Sequence, residues 1–143
     1  MSPAADPVPF HLAVPVDDLE RARGFYLDLL GCATGREDAR WLDLDFFGHQ
    51  LTLHLAESGG GEAANAVDGD AVPVRHFGVI LAPSDWQALA DRLAAAGVEF
   101  LIEPRVRLRG QPGEQRTMFL RDPAGNALEF KSFADPARIF ARD

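Results

Sequence analysis

With 143 residues, 47% of them hydrophobic and 25% charged, the chain has enough material for one well-cored domain and too little for two independent ones. A net charge of −8 argues against a nucleic-acid partner, which needs clustered Lys and Arg to meet phosphate. There is no run of about 18 apolar residues for a membrane span. The opening residues, 1–6, lack the basic and apolar blocks of a secretory leader, so a cytoplasmic location is expected.

Residues 8–14 alternate, with Phe10, Leu12 and Val14 on one face and His11 and Ala13 on the other, which predicts a strand with a histidine on its non-core side. Val14-Pro15 ends it. Asp17 or Asp18 can cap a helix, and Glu20 stands three residues after Asp17 in the capping-box position. Leu19, Ala22, Tyr26, Leu29 and Leu30 recur at helical spacing, which sets Tyr26 on the core stripe, and Gly31 supplies the stop. Cys32 is the only cysteine and forms no internal disulfide. Beside Gly31, with no adjacent His or basic activator, it reads as a packing residue.

Residues 41–46 and 50–55 are two alternating runs joined at Gly48, a predicted β-hairpin. In the second run Leu51, Leu53 and Leu55 oppose Gln50, Thr52 and His54. His49, in the turn, is expected to face solvent. Residues 58–72, rich in Gly and acidic residues and without periodicity, read as a flexible connection.

The same order then returns. Phe77, Val79 and Leu81 alternate with His76, Gly78 and Ile80, Pro83 closes the strand, and Ser84 with Gln87 repeats the capping signal. Trp86, Leu89, Ala90, Leu93 and Ala94 form a helical stripe that ends at Gly97. Residues 98–102 are expected to be strand and 104–116 a longer excursion. A last hairpin, 117–121 and 127–131, turns on Asp122-Pro123-Ala124-Gly125-Asn126. Beyond that turn Leu128 and Phe130 share one face and Glu129 and Lys131 the other.

The expected fold is α+β: two tandem βαβββ modules forming a curved mixed sheet around a cup. Module one covers about residues 8–57, the linker 58–72, module two about 73–133 and a tail 134–143, all within a single domain. If strand parity holds, His11, His54, His76 and Glu129 point into the cup. Imidazoles with a carboxylate are a common way to hold a divalent transition metal with positions left open for substrate. The plainer alternative is that strand histidines hydrogen-bond their neighbours and the glutamate is solvated.

Phe10-His11-Leu12-Ala13-Val14, the run Asp17-Asp18-Leu19-Glu20-Arg21-Ala22-Arg23-Gly24-Phe25-Tyr26, and Leu29-Leu30-Gly31 resemble the opening of the vicinal oxygen chelate superfamily. That group contains glyoxalase I, fosfomycin and bleomycin resistance proteins, and extradiol ring-cleaving dioxygenases. Arg75-His76-Phe77-Gly78 and the stretch from Asp122 to Phe130 resemble its second half, so the likeness spans residues 8–133.

The resemblance implies that His11, His76 and Glu129 are ligands of one divalent metal ion, Fe, Mn, Ni or Zn. It places His54 where glyoxalase-like members carry a fourth ligand, usually a carboxylate. A histidine there departs from the pattern and reads either as that ligand or as an acid–base group. The ion would act as a Lewis acid on two adjacent oxygens of a small substrate. Three protein ligands leave room for a bidentate substrate plus O₂, and four leave room for the substrate alone, which separates dioxygenase from glyoxalase-type lyase or isomerase chemistry. The alternative is a non-catalytic drug- or metabolite-binding protein of the bleomycin resistance kind. Such binders usually lack the metal residues present here.

Arg105, Arg107 and Arg109 alternate along one segment. Arg107 and Arg109, with Lys131, are candidate contacts for an anionic substrate; the competing reading is a charged strand edge. Trp41, Phe46 and Phe119 are candidates for pocket wall or core. Homodimerisation is common in the superfamily and is expected here.

Overall fold

In the first half of the chain, alternation of apolar residues produces strands wherever a polar partner residue faces the other way. A computed structural model describes residues 7–56, 63–67 and 69–142. The expected leader-free opening at residues 1–6, residue 57 at the end of the expected first module, and residues 58–62 and 68 of the expected connection lie outside the described residues. The chain divides into two compact units, Met1–Ser58 and Gly59–Asp143.

The first unit is a βαβββ module. Its strands are β1 (His11–Val16), β2 (Ala33–Asp38), β3 (Trp41–Phe46) and β4 (His49–Leu55), in the sheet order β1-β4-β3-β2. β1 runs parallel to β4, and the other neighbours are antiparallel. Helix α1 (Leu19–Arg23) continues into a π-helical turn, Gly24–Leu29. Together they bury Ala22, Phe25, Tyr26 and Leu30, and the sheet buries Leu42, Leu44, Phe46, Leu51 and Leu53. Tyr26 meets Phe46 edge-on with ring centroids 6.4 Å apart, so helix and sheet share this core. Phe46 is therefore core.

Asp18 is the N-cap and its carboxylate accepts from the Arg21 amide. Glu20 therefore pairs with Arg23 and makes no capping box with Asp17. β2 had no signal in the sequence: all six of its residues are exposed, and it is a strand because β3 offers it an edge.

The second unit repeats the module with β7 (Phe77–Ile80), helix α2 (Pro83–Ala95), β8 (Ile102–Arg107), β9 (Gln115–Arg121) and β10 (Ala127–Phe133). The sheet order is β7-β10-β9-β8, with β7 parallel to β10. Both sheets are open, mixed and four-stranded, and the architecture is α+β. Helix α2 packs Trp86, Leu89, Ala90 and Leu93 against the sheet face made by Met118, Leu120, Leu128 and Phe130. The Trp86 indole N–H donates to the Phe130 carbonyl at 2.8 Å.

Four local expectations are corrected. Ser84 does not cap α2: Ala82 is the N-cap without a side-chain bond, and Pro83 occupies the first turn, where a missing N–H costs nothing. Gln87 instead bonds Asp91 and Arg116. The strand expected over 98–102 begins at Ile102, because the Val98 amide bonds back to Leu93 O in a helix-ending turn where Gly97 takes φ +75°. β8 then runs through Pro104. An edge strand with a register shift between Ile102 and Arg105 tolerates the missing donor. Finally, the expected flexible connection contains a hairpin of β5 (Ala63–Val67) and β6 (Asp70–Val74). Its sequence signal, overlooked among the glycines, is Asp68-Gly69 between short apolar runs.

No described helix is long and apolar enough to cross a membrane.

Candidate functional site

Register decides which side chains of the second unit can meet. Glu129 on β10 lies opposite Phe119 on β9 and beside Gly78 on β7, so these three share a face. Thr117, opposite Lys131, stands next to them. His76, just before β7, is drawn onto this face. Its Nε2 lies 3.2 Å from Glu129 Oε1, and its ring meets Phe119 edge-on at 5.0 Å. The glutamate side chain is 11% exposed and the imidazole 29%.

Each partner is oriented by a further group. The Pro73 carbonyl lies 2.6 Å from His76 Nδ1, and the Thr117 hydroxyl donates to Glu129 Oε2 at 2.6 Å. A carbonyl oxygen can only accept, so Nδ1 carries a hydrogen and Nε2 is the nitrogen turned toward the carboxylate. A ring nitrogen and a carboxylate oxygen 3.2 Å apart are held together by positive charge between them, either a proton or a cation. Two ligands each about 2.1 Å from one ion, at tetrahedral or octahedral angles, lie about 3.0–3.4 Å apart. The pair therefore fits adjacent ligands of a divalent metal. An imidazole fixed by a carbonyl and a carboxylate fixed by a hydroxyl is also the outer arrangement that metal ligands have.

Among the described residues, no group of three or more His, Cys, Asp or Glu side chains is gathered as an ion-holding cluster. The second unit brings together two of the residues expected at the site, His76 and Glu129. His11 and His54 belong to the first unit and are both exposed. There His11 is paired with Gln50, and His54 with Pro15 and Trp41. Four residues of strand, roughly 13 Å, thus separate the two histidines along the sheet. Trp41 is half-buried beside His54.

Counting along the parallel ladders, Glu129 lies two residues beyond the level of His76, and Thr52 lies two residues beyond the level of His11. In the repeat, the glutamate's counterpart is therefore Thr52. His54 corresponds to Lys131. Thr52 is buried and its hydroxyl donates to Asp43 at 2.6 Å.

The cations sort differently from a simple alternation. Arg107 is 6% exposed, and its guanidinium meets Asp70 Oδ2 at 3.0 Å, as does that of Arg105. Arg107 also lies over the Phe119 ring, 5.7 Å from its centroid. Arg109 is exposed beyond the end of β8, where Leu108 at φ +54° breaks the alternation. The Lys131 ammonium sits over Phe133 at 5.5 Å. His49 is not the solvent-facing turn residue expected: it opens β4, is half-buried, and accepts the Phe10 amide at 2.8 Å on Nδ1. Sequence reading missed Thr117, Asp70 and the Pro73 carbonyl. Parity on the last hairpin could have flagged Thr117, which stands opposite Lys131.

Burial, with Asp45 adding, pushes the Cys32 thiol from 9.0 up to about 11. Below about pH 9 the thiol is protonated whether folded or not, and its contribution to stability is complete; that contribution is lost as pH rises toward about 11. At pH 8 the folded protein should hold about a hundredfold less thiolate than an unperturbed cysteine, so iodoacetamide should react correspondingly slowly until denaturant is added. Labelling of the folded chain at a free-thiol rate would contradict this.

Residues 9–130 match the family described as the Glyoxalase/Bleomycin resistance protein/Dioxygenase superfamily. No curated protein sequence matches the chain. A glyoxalase/bleomycin resistance protein/dioxygenase from Alicyclobacillus acidocaldarius is 34% identical, with TM-score 0.79, over 93% of this chain and 96% of the other. A glyoxalase/dioxygenase from Nostoc punctiforme is 17% identical, with TM-score 0.65, over 94% and 100%. A lactoylglutathione lyase from Agrobacterium tumefaciens is 20% identical, with TM-score 0.61, over 92% and 96%. These last two share the fold.

Proposed function

The chain belongs to the glyoxalase/bleomycin resistance protein/dioxygenase superfamily, and from that premise we propose that it is a divalent-metal-dependent enzyme acting on a small molecule with two adjacent oxygens. The observation that supports this is the His76–Glu129 pair at 3.2 Å, each member oriented by a further bond. His76 and Glu129 would hold the ion, with His11 as a third ligand, and a bound divalent ion supplies Lewis-acid polarisation of substrate oxygens.

The protein's own groups do the rest. The Pro73 carbonyl keeps a proton on His76 Nδ1, so that Nε2 is the nitrogen that would meet the ion. Phe119, fully buried, backs the imidazole and keeps water from that side. His54 is assigned proton transfer in preference to ligation, because the ladder sets it four residues from His11. Lys131 and Arg109 are the proposed contacts for an anionic substrate group, Arg107 being engaged by Asp70. A cytoplasmic homodimer is the proposed setting.

Elemental analysis of protein purified without chelators tests this. We expect about one equivalent of Fe, Mn, Ni or Zn per chain, lost in His76→Ala, in Glu129→Ala and in His11→Ala, and retained in His54→Ala. A wild-type protein that neither carries nor takes up any of these metals would point to a non-catalytic binder.

A further inference from the structure

We propose that Thr117 is a positioning residue that holds Glu129 in the orientation needed to bind a metal ion; this rests on the metal reading above. Thr117 is fully buried on β9, and its hydroxyl donates to Glu129 Oε2 at 2.6 Å. The other carboxylate oxygen, Oε1, is the one that meets His76 Nε2. A glutamate has three side-chain torsions, and its last rotates broadly. Tethering one oxygen leaves the other with a single direction, toward the imidazole.

The tether is built into the sheet. Thr117 and Glu129 lie on the paired strands β9 and β10, with Thr117 opposite Lys131, one diagonal step from the glutamate. Thr117 and Phe119 are two residues apart and present to the same face, so one strand supplies both the wall behind His76 and the donor that aims Glu129. A valine has the shape of threonine and lacks the donor. In Thr117→Val, Oε2 loses its partner in a site where the carboxylate is 11% exposed, and the side chain is free to turn away from His76.

The test titrates Mn²⁺ into the full-length wild type, Thr117→Val and Thr117→Ser, reading free Mn²⁺ by electron paramagnetic resonance, with thermal unfolding of each protein alongside. Thr117→Val is expected to bind Mn²⁺ about 10–100-fold more weakly, the usual effect of removing a partner that orients a ligand. Thr117→Ser, which keeps the hydroxyl, should bind within about threefold of wild type. Thr117→Ala repeats the measurement if the valine variant does not fold. Binding by Thr117→Val as tight as wild type overturns the proposal, and so does equal weakening by valine and serine, which would assign the effect to packing. A wild type that takes up none of Mn²⁺, Fe²⁺, Ni²⁺ and Zn²⁺ overturns both this proposal and the metal reading, whereas binding by Thr117→Val as tight as wild type overturns this proposal alone, so the two failures are told apart.

Discussion

Asp70→Ala is expected to destabilise the second unit by about 3–5 kcal/mol, because it leaves Arg107 charged, buried and without its carboxylate. The Arg107 side chain is 7% exposed and Asp70 19%, so solvent replaces little of the lost interaction. Among the described residues Arg107 Nε has no hydrogen-bond partner and Asp70 supplies the carboxylate that the guanidinium meets, which makes the cation more dependent on it. Arg105, at 38% exposure, can turn to water and should contribute far less. The cost should therefore depend on the arginine at 107. Asp70→Ala combined with Arg107→Met should recover most of the lost stability, since a buried pair replaced by apolar volume is often neutral. Denaturant midpoints for the two single variants and the double variant check this. A double variant no more stable than Asp70→Ala would show that the effect lies elsewhere, for instance in the β5–β6 turn where Asp70 sits.

The second large effect is expected at Gly78. On the parallel ladder it faces Glu129, and a β-carbon there would collide with the Glu129 carbonyl oxygen and lie 2.6 Å from its carbonyl carbon. The obstacle is backbone, which cannot swing aside as a side-chain tip can. Gly78→Ala should push β7 off β10 at a cost of about 3 kcal/mol, the upper end for atoms inserted into a packed site. It should also weaken the proposed metal binding, because His76 immediately precedes β7 and would move with it.

Gly24→Ala is the matched control. Gly24 has helical torsions, φ −56° and ψ −41°, and nothing lies within 4 Å of an added β-carbon. It should gain about 0.4–1 kcal/mol through the unfolded chain. Equal midpoints for Gly78→Ala and wild type would refute the close-approach account.

Both effects come from contacts that no local pattern announces. Gly78 reads in the sequence as a small residue on the polar side of a strand. Its necessity comes from the strand that lies beside it, about 50 residues later in the chain. Asp70 lay within a stretch read as a flexible connection, and its partners on β8 are more than 30 residues away. The β2 strand went unread for the same reason. Its residues are all exposed, so the burial that writes alternation into a sequence never acted on them.

What the sequence by itself determined is the doubled module and the parity of its strands. Burial of one sheet face against a helix forces apolar residues to every second position, so the faces carrying His11, His54 and Glu129 could be read directly. The helix stops at Gly31 and Gly97 and the turn at Gly125 were legible too, since each needs a positive φ that favours glycine.

Only the tertiary structure decided distance. Parity placed His11 and His54 on one face without showing that four residues of strand separate them, or that Thr52 rather than His54 is the counterpart of Glu129 in the repeat. It also did not show that Arg107 turns inward to Asp70, or that Thr117 and the Pro73 carbonyl orient the His76–Glu129 pair. The physical reason is that a period of two records only which side a residue faces. Register, set by hydrogen bonds between strands remote in sequence, determines which of the residues on that side meet.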